Sequence, residues 1–91
     1  MIKHYDITIF NESNTPGFRF AVMEKAYRLN IKGYVRRKRR GGVFIEAEGE
    51  DVNLDAFLDW CRKGPLGAVV TDITFVESDV KDFRTFEIQH N

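Results

Sequence analysis

Tyr5, Ile7 and Ile9 alternate with Asp6 and Thr8, the period of two expected of a strand with one buried face. The polar stretch Asn11-Glu12-Ser13-Asn14-Thr15-Pro16-Gly17 interrupts that period. Thr15 followed by Pro16 reads as a helix cap with proline at the first helical position, where its missing N–H costs nothing. Phe18, Val22, Ala26 and Leu29 then recur at helical spacing and define one apolar face, with Asn30 and Gly33 bracketing the exit.

A second strand is expected over Lys32 to Arg37 and a third over Val43 to Glu48, joined through Gly41-Gly42, which supply the positive φ angles of a hairpin loop. In the third strand Val43, Ile45 and Ala47 face one way and Phe44, Glu46 and Glu48 the other. These acidic outer positions are placed to pair with the basic neighbouring strand. Gly49-Glu50-Asp51 breaks the pattern. Leu54, Phe57, Leu58 and Cys61 predict a second amphipathic helix, with acidic residues near its start, Arg62 and Lys63 near its end, and Gly64-Pro65 as the stop. Val69, Thr71, Ile73 and Phe75 alternate as a fourth strand, and Phe86 and Ile88 as a short last one. The order β-α-β-β-α-β plus a terminal strand predicts an α+β, ferredoxin-like (split βαβ) sandwich: an antiparallel sheet with two helices on one face. Residues 1–91 form one domain, since a chain of 91 residues supports a single modest core.

Composition narrows the function classes. The net charge is zero, so no global field draws the protein to nucleic acid or membrane, and no apolar run reaches the ~20 residues of a membrane span. The N-terminus lacks the apolar stretch and small-residue cleavage site of a signal peptide, so a cytoplasmic protein is expected. Cys61 is the only cysteine, which excludes an internal disulfide and a thiol-rich metal site, and it reads as a small hydrophobe on the helix face. His4 and His90 lie near the termini without metal-ligand spacing and read as surface histidines. Neither a cofactor nor a metal is therefore expected. Local charge is uneven, because Arg36, Arg37, Lys38, Arg39 and Arg40 are consecutive. A solvated hairpin tip is the plainer reading of that run, and a patch for nucleic acid or an acidic protein the rival one.

Three motifs occur in order: Gly17-Phe18-Arg19, then Gly33-Tyr34-Val35-Arg36, then Phe57-x-x-Trp60-x-x-x-Gly64-Pro65-x-x-Ala68-x-Val70. This set resembles the acylphosphatase family from about Tyr5 to Ile88. The resemblance implies an anion site for a phosphate or acyl-phosphate small molecule at the loop before the first helix. Arg19 would grip the phosphoryl group, with backbone N–H groups of Asn14, Thr15, Gly17 and Phe18 around it. It also implies hydrolysis of a carboxyl-phosphate bond by direct attack of water, with neither metal nor covalent intermediate.

The chain departs from the family at telling positions. Where the family reads Gly-Trp-Val-Arg-Asn-x-x-Asp-Gly, this chain reads Gly33-Tyr34-Val35-Arg36-Arg37-Lys38-Arg39-Arg40-Gly41. The asparagine that positions the attacking water in the family is thus Arg37, and a guanidinium donates hydrogen bonds but accepts none. Asn11 and Thr15 replace family glycines, and Pro16 removes one N–H donor from the loop. The resemblance therefore implies a kept anion site with hydrolysis weakened or lost. Two alternatives stand beside it: an active acylphosphatase in which Asn11 or Asn14 holds the water, and a non-enzymatic binding module that uses the Arg36–Arg40 hairpin.

Overall fold

The structure, a computed structural model, describes residues 1–11 and 16–90. The chain runs β1 (Ile2–Asn11), α1 (Phe18–Arg28), β2 (Lys32–Arg37), β3 (Val43–Glu50), α2 (Asp51–Arg62), β4 (Val70–Ser78) and β5 (Phe86–Gln89), with a short 3-10 turn at Pro65–Gly67. The five strands form one sheet in the order β4-β1-β3-β2-β5. Strand β1, the most regularly alternating segment of the sequence, lies inside the sheet between β3 and β4.

Register explains the core. Ile7 pairs with both Ile45 and Phe75, and Ile45 in turn pairs with Val35, so one row of apolar side chains crosses four strands on a single face. Helix α1 presents Phe18, Val22 and Ala26 to that face, and α2 presents Leu54, Phe57, Leu58 and Cys61. Phe57 and Phe86 are fully buried and meet edge to face at 6.4 Å between ring centroids. The helix positions expected from periodicity are therefore the ones that fill the core. Cys61 is among them, and burial pushes its thiol up to about 12.

Four strands are antiparallel, but β5 pairs parallel with β2, so the sheet is mixed. The cause is the path of the chain. After β4, residues 79–85 cross from one edge of the sheet to the other and reverse direction. Strand β2 already runs opposite to β4, so the reversed strand arrives parallel to it.

Three local expectations shift as well. Helix α1 begins at Phe18, not at Pro16: Gly17 sits at φ 76° in the left-handed region, which no helix can continue through, and Ala21 N–H donates the first bond back to the Gly17 carbonyl. Strand β3 continues through Gly49 and Glu50, and α2 begins directly at Asp51. In β4 the register slips between Phe10 and Asn11, whose partners are Asp72 and Val70, so Thr71 is passed over. That irregularity changes the parity of the strand: Val70 and Ile73 pack against the core while Val69 and Thr71 are exposed.

The hairpin between β2 and β3 closes through Lys38 N–H to the Gly42 carbonyl at 3.0 Å. Gly42 has φ 78°, and a Cβ there would lie 2.2 Å from the Ile9 carbonyl oxygen. Glycine is needed here for both conformation and space, and it brings the basic hairpin close against the end of β1.

Candidate functional site

Where β1 leaves the sheet and α1 begins, the structure forms an open concavity of about 400 Å³ lined by Arg19, Arg37, Lys38, Arg39, Gln89 and His90. Each side chain arrives by a simple route. Phe18 is buried as the first apolar residue of α1, so Arg19, the next residue, turns outward at the first helical turn. The N–H groups of Phe18, Arg19 and Phe20 precede the first intrahelical bond, as at any helix start, and a helix N-terminus favours negative charge.

Arg37 pairs with Val43 and shares its face of the sheet, two residues beyond the buried Val35, at the end of β2 nearest the hairpin. The neighbouring strand β5 contributes Gln89, and His90 follows it. Arg19 and Arg37, far apart in sequence, therefore line one concavity. Asn14 and Thr15 lie outside the described residues, whereas Gly17 and Phe18 lie directly before Arg19 at the helix start.

In the basic run Arg37, Arg39 and Arg40 are exposed, and Arg36 and Lys38 are partly covered. Arg37 and Arg39 line the concavity, while the Arg36 guanidinium lies over the Phe44 ring at 4.9 Å on the opposite face. Lys38 lines the concavity as well, with its ammonium 5.6 Å from the centre of the Phe10 ring. Among the described lining residues four are cationic and none is acidic, a composition matched to a phosphoryl group. Gln89 and His90 complete the wall, and sequence reasoning did not find Gln89: only its place on a parallel edge strand brings it there. His90 is exposed, as expected, yet it belongs to this wall.

The open face of the sheet holds a second polar cluster, which overturns the surface reading of His4. His4 is fully buried, because Phe83 from the β4–β5 crossing lies alongside its ring at 6.0 Å. Its Nδ1 is 2.7 Å from Glu48 Oε2, and its Nε2 is 3.0 Å from both Asp6 Oδ1 and Glu46 Oε1. Glu46 and Glu48 are also buried, against the expectation that they pair outward with basic β2 residues. Glu48 accepts N–H bonds from Lys81 and from Phe83, the latter at 2.9 Å. Glu46 accepts from the Tyr34 hydroxyl and, at 2.7 Å, from Lys81 Nζ. Burial pushes both carboxyls up, but the bonds from Lys81 with Tyr34, and from the Lys81 backbone with His4 and Phe83, outweigh it and hold both below the usual range. No periodicity signal could have found these partners, since all depend on where the 79–85 crossing falls.

Fold and concavity together define a ferredoxin-like α+β sandwich with a cationic site at the start of its first helix. The acylphosphatase family profile matches residues 14–88, and the chain belongs to that family. It is 39% identical over 74 residues to an acylphosphatase of Thermotoga petrophila, a match covering 81% of this chain and 82% of that protein. It is 34% identical over 91 residues to an acylphosphatase of Oceanobacillus iheyensis, covering 98% of this chain and all of the relative. The crystal structure of acylphosphatase from Bacillus subtilis superposes with a TM-score of 0.91 at 30% identity, over 99% of this chain and 100% of that one. Among the described residues, no helix is long and apolar enough to cross a membrane.

Proposed function

We propose that this chain binds phosphate or an acyl phosphate in the Arg19–Arg37 concavity and that its hydrolysis of carboxyl-phosphate bonds is weak. The observation that carries this reading is the convergence of Arg19 and Arg37 on one concavity with no acidic lining residue among those described. Arg19 supplies forked donors for phosphoryl oxygens, beside the N–H groups at the start of α1. Arg37 stands where the family resemblance requires an asparagine, and its guanidinium adds charge but has no lone pair with which to hold a water. Direct attack by water depends on that positioning, whose loss commonly costs on the order of 10²-fold.

Benzoyl phosphate hydrolysis tests the reading. Wild-type turnover is expected to be slow, and Arg37→Asn is expected to raise it by about tenfold or more, short of full recovery because Pro16 still withholds an N–H donor. Robust wild-type turnover that survives Arg37→Ala would overturn it.

One observation favours a second reading, an active enzyme. Gln89 lines the same concavity, and its amide carbonyl is an acceptor of the kind a water requires. On that reading wild-type turnover is fast and Gln89→Leu, rather than Arg37→Asn, changes it.

A further inference from the structure

We propose that His4, Asp6 and Glu46 form a binding site for one divalent transition-metal ion of the zinc class, on the face of the sheet opposite the anion concavity. The three ligand atoms, His4 Nε2 with one carboxylate oxygen from each of Asp6 and Glu46, all lie within 4.8 Å of one another. Bonds of about 2.0–2.2 Å put tetrahedral ligand atoms about 3.4 Å apart, so the carboxylates close on the ion by a shift of about an ångström.

The hydrogen bonds dictate which nitrogen is available. Both oxygens of Glu48 accept N–H bonds from the backbone of the crossing segment, so this carboxylate is an acceptor and nothing else. His4 Nδ1, 2.7 Å from Glu48 Oε2, must then carry a hydrogen and donate it. The remaining nitrogen, Nε2, faces two carboxylate oxygens at 3.0 Å each. Three electron-rich atoms converge on one point, and something positive has to lie among them: a proton or a metal ion.

Charge favours the ion. Asp6, Glu46 and Glu48 set three carboxylates against the single ammonium of Lys81. The Glu48–His4 contact also has the form of a carboxylate–histidine–metal relay, in which the outer carboxylate fixes the tautomer and raises the basicity of the ligand nitrogen. Imidazole among the ligands selects zinc-class ions over magnesium or calcium.

The frame is rigid. His4 pairs directly with Glu48, and Asp6 with Glu46, on two adjacent strands inside the sheet. Lys81 Nζ now bonds Glu46 Oε1 at 2.7 Å, but this side chain is more than half exposed and swings into solvent when the ion enters. The ion then ties β1 to β3 beneath the 79–85 crossing, which Glu48 holds through the N–H groups of Lys81 and Phe83. The site is remote from Arg37: Glu48 pairs with Lys32 at one end of β2, and Arg37 lies at the other end.

The test is titration of metal-free full-length protein with zinc chloride, followed by calorimetry and native mass spectrometry, with cobalt(II) absorption as a coordination signature. One ion per chain is expected, with micromolar or tighter affinity and no comparable binding of magnesium. Asp6→Asn should weaken zinc binding by about tenfold or more, and His90→Ala should leave it unchanged. Imidazole ¹⁵N spectra of the wild type should show His4 Nε2 metal-bound at saturation, a readout that needs no variant to fold. Absence of stoichiometric binding, equal affinity for magnesium, indifference to Asp6→Asn, or an Nε2 that keeps its proton in excess zinc would each overturn the assignment.

Discussion

The two polar centres of this molecule are built in opposite ways. The Arg19–Arg37 concavity is open and lined by cations that ride on the ends of α1 and β2, and its described walls offer no carboxylate. The His4 cluster lies under the β4–β5 crossing and pairs its buried carboxylates with His4, Lys81 and Phe83. An open cationic surface can lose a side chain and be re-solvated by water. A buried network cannot, because each deletion leaves a charge or N–H group without a partner in a poorly solvated place. Function that needs a transient anion therefore suits the first centre, and holding the crossing in place suits the second.

The sharpest way to break the contrast is Glu48→Ala. It strips acceptors from His4 Nδ1 and from two backbone N–H groups at once, and it should cost about 3–5 kcal/mol, read as a lowered urea midpoint with an unchanged slope. A loss below about 1 kcal/mol would show that the cluster is no more structural than a surface pair.

An intermediate effect is expected at the open centre. Arg19→Ala should weaken inorganic phosphate binding by about tenfold, the worth of one charge-assisted hydrogen bond, and leave the unfolding midpoint almost unmoved. Amide shifts on phosphate titration should centre on Gly17 to Arg19 and extend to Arg37. Shifts confined to residues 38–42 would place the anion elsewhere.

The smallest effect is expected from Lys38→Ala, Arg39→Ala and Arg40→Ala combined. These changes lie at a hairpin tip, and together they should alter stability by less than about 1 kcal/mol, since removing like charges offsets the lost contact of Lys38 with Phe10. The same triple variant decides whether the run also serves an acidic partner. Salt-sensitive retention of the wild type on heparin, lost in the variant, would support that role, and no retention of the wild type at low salt would remove it.

Periodicity along the chain determined much of this protein by itself. The faces of both helices, the span of β2 from Lys32 to Arg37, the alternation of β1 and the glycine hairpin all follow from local spacing, because each element must bury one stripe wherever it packs. The family motif likewise singled out Arg19 and Arg37 as a pair before any geometry brought them to one concavity. Only the tertiary structure decided the rest. The left-handed Gly17 moved the helix start, the passed-over Thr71 reversed the parity of β4, and the crossing at 79–85 made β5 parallel and brought Gln89 to the site. That crossing also turned His4, Glu46 and Glu48 from expected surface groups into a buried cluster. Alternation says which residues share a face of a sheet, but not what will cover it. The open face acquires its cover from a segment more than thirty residues away in sequence, with no periodic signal of its own.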